Sequence, residues 1–422
     1  MQSRKTKVIV IGAGIVGCAT AFLLKKQGFS VVVLDAESGS GLVTSLANGA
    51  QLSYSYVEPL ASPSTLKKIP AMLLDPHSPL RLKLAADWAQ MTWGIEFFRA
   101  CTHKQVEYAT RAMLQLASLS REEIESLKYQ DDLSFDYSKP GKLVLYDTQA
   151  SMESAKKQIE FQRTLGCQQT LLNTYQCIEI EPSLKDYQSH IAGGVWTPSE
   201  AVGDAKKLCD AMTKQIIDNG GQFCYNSLVK NFVVENYRVK EVVLESGETL
   251  GADHFILANG NGAAKLARQL GLSLPVYPVK GYSISLKLKD ASKAPHVSVT
   301  DLRRKTVYAP LGGRLRVAGM AELVGYDWTV DSARVQFLRR CTEEIFPGSC
   351  DFTDEDMPWA GLRPSTPTSM PIIGPTHFTN FLLNVGHGSL GFTLALGSAR
   401  LITQYLNNQN GGALGTYFRY AR

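Results

Sequence analysis

Apolar residues in this chain fall into short unbroken runs at some places and into alternating or helical spacings at others. Lys7-Val8-Ile9-Val10-Ile11 and Ser30-Val31-Val32-Val33-Leu34 are brief and uniformly apolar, the pattern of strands buried on both faces. Between them lies Gly12-Ala13-Gly14-Ile15-Val16-Gly17 and a helical stretch, so Val8 to Asp35 predicts a βαβ unit. Helical periodicity predicts further helices over Val106 to Leu127, Ser151 to Leu165, Ala205 to about Asn219 with Asp204 as cap, and Phe392 to about Leu406. Strands are expected at Gly141 to Tyr146, at Gly193 to Pro198, at Ala252 to Gly260 returning to the main sheet, and at Phe381 to Val385. From Leu274 to about Gly319 the text changes to alternation, which predicts an antiparallel sheet distinct from the βαβ part. The fold class is therefore α/β, a Rossmann-like domain (1–85, 190–273 and 356–422) interleaved with an α+β domain (86–189 and 274–355) holding a mixed or antiparallel sheet.

One region resists a simple pattern. Leu60 to about Arg99 carries Pro70, Pro76 and Pro79, expected to break it into short pieces, and mixes Trp88, Trp93, Phe97 and Phe98 with Lys67, Lys68, Arg81 and Lys83. It reads either as an interfacial surface that touches a membrane or as a helical layer buried over the second domain.

The GxGxxG turn has a mechanical reading. Gly12 allows the turn, Gly14 admits a pyrophosphate to the backbone, Gly17 lets helix and strand touch, and the helix N-terminus offers free amides to phosphates. Asp35 ends the second strand, where a carboxylate accepts from a ribose hydroxyl, favouring FAD or NAD over NADP. The small and amide residues from Thr44 to Leu52 suit either a backbone laid against a flat ligand or a plain polar loop. At the other end, Gly386-His387-Gly388-Ser389-Leu390-Gly391 before an apolar helix makes a second anion-receptive turn.

Bulk properties narrow the class without naming a ligand. A length of 422 residues allows two domains with substantial cores, and 44% hydrophobic with 20% charged residues is ordinary globular composition. The formal charge of +5 is spread without a block, a solvated basic surface more than one made for an anionic membrane or anionic substrates, and no nucleic-acid partner is expected. The 8 cysteines show no CxxC spacing and the 7 histidines no HExxH, so neither a disulfide framework nor a metal site is expected, and a reducing, cytoplasmic setting is. Arg4, Lys5 and Lys7 before Val8 to Gly17 imitate a signal peptide, but cleavage there would destroy the glycine turn. No apolar run is long enough to span a bilayer.

GxGxxG with Asp35, then TSLANG (44–49), YPVKGYS (277–283), RVAGMAE (316–322), GLRPSTP (361–367) and GHGSLG (386–391), together resemble the FAD-dependent D-amino-acid oxidase superfamily. Within it the likeness leans to the bacterial D-amino-acid dehydrogenases of small-subunit type. The resemblance implies a glutathione-reductase-type FAD domain beneath a substrate domain. Gly12, Gly14, Ile15, Val16, Gly17, Asp35 and Ala36 would hold the ADP half, with Val229 beside adenine. Apart from the resemblance, the apolar strand running into Ala258 and Gly260 either places small residues beside a cofactor or simply ends there. Ser45, Asn48, Gly49, Ala50, Gln51 and Leu52 would line the stretch from pyrophosphate to flavin. Gly386, His387, Gly388, Ser389 and Leu390 would aim amides at the flavin N1 and C2 carbonyl region. Arg363 would clamp the substrate carboxylate with its planar fork. Tyr282 would be a second neighbour of the carboxylate or amine, or a core tyrosine, and His387 a general base or a bystander whose backbone matters more.

The reaction implied is oxidation of an amino acid at Cα. Hydride passes to flavin N5, and the imine hydrolyses to a 2-oxo acid and ammonia. The likeness to the dehydrogenases implies a quinone or respiratory-chain acceptor and peripheral contact with the inner face of a membrane. Sarcosine-oxidase relatives tether flavin through a cysteine near GLRP, and none stands from Asp351 to Arg422, so noncovalent FAD is expected. The basic loop Thr300 to Lys305 would receive an acidic side chain or be a solvated hairpin. Rival readings are an NAD-dependent dehydrogenase, an oxygen-using oxidase of glycine, D-amino acids or secondary amines such as proline, and a flavin subunit without turnover.

Overall fold

The two largest sheets, one mostly parallel and one mixed, frame the nucleotide turn. The computed structural model describes residues 5–74, 80–83, 87–130, 133–353 and 357–420. Arg4, Pro76 and Pro79, which entered the sequence reading, lie outside them.

The first sheet has six strands in the order Ile372–Pro375, Phe381–Val385, His254–Leu257, Lys7–Ile11, Ser30–Leu34, Gln222–Cys224. All pairings are parallel except that of Ile372–Pro375 with Phe381–Val385. Both faces are covered, which explains the uniformly apolar runs. On one side pack the helices Ile15–Lys26, Ala205–Asp218, His103–Gln130 and Gly391–Leu406. On the other lies the three-stranded excursion Val229–Glu235, Arg238–Leu244 and Thr249–Gly251.

The second, ten-stranded sheet is built on the long antiparallel pair Tyr277–Leu288 and Arg314–Leu323. Alternation sorts its two faces. Tyr282, Ile284, Leu286, Tyr308, Leu315 and Val317 join a core under the helix Ser332–Ile345. The opposite face carries Ser283, Ala318, Val307 and Thr300 in one cross-strand row. That row looks toward the glycine turn.

The expected domain segments need correction at their edges. Leu80–Leu82, Gly193–Thr197 and Trp359–Ser365, placed by sequence with the nucleotide domain, are strands of the large sheet. Helix His103–Gln130, placed with the second domain, packs on Gly391–Leu406 in the nucleotide core. Short segments between Gly and Pro carry too little pattern to say which sheet they join. The break expected at Pro70 is also absent, for helix Pro63–Leu74 continues across it.

The ambiguous stretch has one buried and one exposed apolar face. Helix Trp88–Ala100 buries Trp93, Phe97 and Ala100 against Tyr277 and its neighbours. Its other face leaves Trp88, Met91, Ile95 and Phe98 between 50% and 75% exposed, spaced three, four and three residues apart. That is one apolar stripe along the helix.

Candidate functional site

The glycine turn is closed by contacts that only glycine permits. Gly12 takes φ +110°, and a Cβ at Gly17 would sit 1.8 Å from the Gly12 carbonyl oxygen. The Asp35 carboxylate accepts from the Ala13 amide, and from the Glu37 amide at 2.9 Å, so it holds the turn shut while facing the cavity. Ser45 reaches across to accept from the first helical amide, that of Ile15, at 3.0 Å.

A single cavity of about 660 Å³ runs from this turn to the large sheet. Gly12, Gly14, Ile15, Val16, Asp35, Ala36 and Val229 line one end. Ser45, Asn48, Gly49, Ala50, Gln51, Ala258 and Gly260 line the middle, and Gly386 to Leu390 with Arg363 and Tyr282 the other end. Gly17 and Leu52 stand behind the wall; Leu52 is fully buried in the helical core. Side-chain oxygens of Asn259, Asn261 and Asn384 are buried on or just behind this wall without a hydrogen-bond partner. Such acceptors await a ligand rich in hydroxyl donors, which the ribityl and ribose groups of FAD supply. The residues fit that group.

The loop 44–51 is clamped between the two sheets. Thr44 donates to the Leu362 carbonyl at 2.8 Å, Ser283 to the Ala47 carbonyl at 2.5 Å, and Gln51 to Ser298 at 2.7 Å. Arg316, to which sequence reasoning gave no role, donates to the Asn48 carbonyl at 2.8 Å and to Ser285 at 2.6 Å. Its motif was noted, but the loop it supports lies more than 260 residues away.

Arg363 and Trp359 share a floor made by the absence of side chains. Gly281 and Gly361 face each other across the Tyr277–Leu288 and Trp359–Ser365 strands. A Cβ on Gly281 would lie 2.1 Å from Arg363 Nη2, and one on Gly361 would lie 1.8 Å from the Trp359 ring. The guanidinium thus lies flat over Gly281, donating to the Met320 carbonyl at 3.0 Å. Among the described residues no carboxylate pairs with it, and burial alone pushes its pKa down to about 10. Gly281→Ala is expected to displace the guanidinium, raising the KM for an anionic substrate at least tenfold while leaving the cofactor bound, as steady-state kinetics and flavin content would show.

Tyr282 and His387 are engaged elsewhere. The Tyr282 hydroxyl donates to Glu322 at 3.1 Å, and Glu322 in turn pairs with Arg334 at 2.7 Å, on the core face of the sheet. The strand alternation that aims Gly281 at the cavity sends Tyr282 mostly behind it. His387 places Nε2 3.1 Å from the Ser398 hydroxyl, and burial pushes its pKa down to about 3, so the ring stays neutral. Its backbone bridges to Ser365 while Gly386 and Gly388 turn with positive φ, which puts the main chain on the cavity wall. Tyr56, Lys142, Trp328 and Trp359 also line the cavity and were missed. Only Trp359 left a signal, two residues before the GLRP motif.

Among the described residues no cluster fit for a metal ion occurs, and no helix is long and apolar enough to cross a membrane. Thr300 and Lys305 of the basic loop reach the cavity wall.

Comparison with known proteins agrees with this architecture. A D-amino acid dehydrogenase 2 of Ralstonia nicotianae is 42% identical over 410 residues, covering 95% of this chain and 96% of that protein. A D-amino acid dehydrogenase of Rhizobium johnstonii is 38% identical, covering 94% of each. The fold is similar to that of L-proline dehydrogenase from P. horikoshii (TM-score 0.77, 18% identity, 99% of this chain and 97% of that one). It is also similar to that of glycine oxidase from Geobacillus kaustophilus (TM-score 0.76, 18% identity, 99% and 100%). The family model described as FAD dependent oxidoreductase matches residues 7–405, nearly the whole of both sheets and the cavity between them, and the chain belongs to that family.

Proposed function

We propose that this protein oxidises D-amino acids at Cα, giving 2-oxo acids and ammonia, and passes the electrons to a quinone or respiratory-chain acceptor. One observation carries the reading: a half-buried guanidinium, Arg363, lies on the cavity wall beside the flavin-loop backbone, and among the described residues no carboxylate balances it. A charge in that position is stabilised by an anion that arrives with the substrate. The planar fork, fixed by the Met320 carbonyl, orients an α-carboxylate. Trp359 and Trp328 add apolar surface that excludes water around the Cα–H bond.

Bound noncovalently, FAD would supply the two-electron acceptor. It would be held by the 12–17 turn and Asp35 at one end and the 386–390 backbone at the other. Tyr282 and His387 have their polar atoms tied to Glu322 and Ser398, so orientation and water exclusion supply the rate in preference to a side-chain base. The substrate enters with its amine neutral, and the imine it leaves as is hydrolysed by water.

The names of the 42% and 38% identical relatives support the D-amino-acid substrate class. For the acceptor, the support is the exposed stripe Trp88, Met91, Ile95 and Phe98, with exposed Arg81, Lys83 and Arg99 near it. This pattern suits contact with an anionic lipid surface, where a lipophilic acceptor resides. The test is anaerobic bleaching of the flavin by a panel of D- and L-amino acids, followed by oxygen or a ubiquinone analogue. D-amino acids should bleach it, and the quinone should restore colour faster than oxygen. Bleaching by L-amino acids alone, or rapid peroxide release in air, would overturn the substrate or acceptor assignment respectively.

A further inference from the structure

Lys142 is a buried cation that the reading above does not use. It opens the strand Lys142–Tyr146, is 3% exposed, and lines the cavity. Its ammonium donates to the Ser53 hydroxyl at 3.0 Å and lies 4.4 Å from the centre of the Tyr56 ring. No carboxylate among the described residues lies within ion-pair distance of it. The carboxylate whose charge acts on it, Glu200, is fully buried off the cavity wall. One of its oxygens accepts from the Ser55 amide at 2.8 Å, and the other has no partner. Burial pushes the Lys142 pKa down to about 8, with Glu200 opposing. An ammonium so placed is costly until negative charge comes near it.

Its hydroxyl partner shows where that charge would be. The Ser53 amide donates to the Thr393 hydroxyl at 3.0 Å, and Thr393 is the third residue of the 16-residue helix Gly391–Leu406. Two positive sources, the helix N-terminus and the Lys142 ammonium, therefore converge through Ser53 on one end of the cavity. Leu390 and Phe392 line that end as well. Under the proposed binding of FAD, this is the end that receives the pyrimidine edge of the flavin, where charge accumulates on reduction.

We propose that Lys142 faces the N1 and C2 carbonyl edge of the bound flavin and, with the Gly391–Leu406 helix terminus, raises its reduction potential by favouring the reduced anion. The role is electrostatic and distinct from carboxylate binding by Arg363. It rests on the FAD reading and deepens it.

The experiment uses the holoenzyme and three variants: Lys142→Met, which removes the charge; Lys142→Gln, which keeps a donor for Ser53 without charge; and Lys142→Arg, which keeps the charge. Midpoint potentials are measured by equilibration with reference dyes, and the affinities for oxidised and reduced FAD by titration of apoprotein. Met and Gln should each weaken reduced FAD at least tenfold relative to oxidised FAD, a drop of about 30 mV for a two-electron couple. Arg should stay within about 10 mV of the parent, a twofold effect on the same scale. A Lys142→Gln holoenzyme with the parent potential would overturn the proposal. So would a potential that falls equally in the Arg variant, since packing and not charge would then be responsible. A parent protein that takes up no FAD would instead refute the cofactor reading beneath it.

Discussion

Replacing Arg363 with alanine is expected to leave FAD bound and to lower kcat/KM for D-amino acids by more than a hundredfold, ~3 kcal/mol or more of lost charge-assisted pairing. Most of the loss should fall on KM. The guanidinium touches the protein through the Met320 carbonyl and the bare backbone of Gly281, so its removal strands no carboxylate and opens space only on the substrate side. Folding should survive, because a half-buried cation with no carboxylate partner among the described residues contributes little to stability and its loss relieves desolvation. Lysine at this position should recover only part of the activity, since a point charge lacks the fork that fixes the plane of a carboxylate. Flavin absorbance, thermal melting and steady-state kinetics on the same preparation separate these effects. Unchanged kinetics with bound FAD would remove Arg363 from the site.

Gly17→Ala is expected to yield protein without flavin and with a melting temperature lowered by several degrees. The added methyl would meet the Gly12 carbonyl oxygen at 1.8 Å and its carbon at 2.8 Å, and both are backbone. No rotamer relieves such a clash, so the turn and the helix must part. Overpacking of this kind costs about 1–3 kcal/mol, and in a chain of this size each kcal/mol moves Tm by roughly 2 °C or less. Parting the turn also misaligns the Ile15 and Ala13 amides that Ser45 and Asp35 hold. Gly94→Ala is the matched control. It stands within helix Trp88–Ala100, where an added Cβ meets nothing within 4 Å. There alanine should be neutral or stabilising by up to about 1 kcal/mol. Flavin retained in the Gly17 variant would show that the turn tolerates separation.

The nucleotide half of the cavity was legible because its chemistry is local. Strand, GxGxxG, helix, strand and Asp35 occupy one continuous stretch, and their spacing states the geometry. The other half was legible only through resemblance. Arg363 stands out in the GLRP motif, but its seat over Gly281 depends on a strand pairing between residues more than 80 positions apart. Tyr282, next to that glycine, was read either toward the substrate or into the core. The bulge between Lys280 and Tyr282, with Met320 opposite at positive φ, sets which face each residue takes. Lys142, Tyr56 and Trp328 left no trace, since nothing in their neighbourhoods distinguishes them from ordinary strand and loop residues. The helix Trp88–Ala100 kept two readings open for a plain reason: it has two apolar faces, and only packing decides which one is covered.

The cavity draws its walls from Ile11 at one extreme of the chain to Phe392 at the other, with the large sheet contributing from between. Contacts of such long sequence separation form late and slowly during folding. A nascent chain can complete the glycine turn early in translation and still have no enclosure for the isoalloxazine ring. Yellow colour in a preparation therefore reports on the finished tertiary structure, and a nick or misfold at the 386–391 loop should give a pale protein with its nucleotide turn intact.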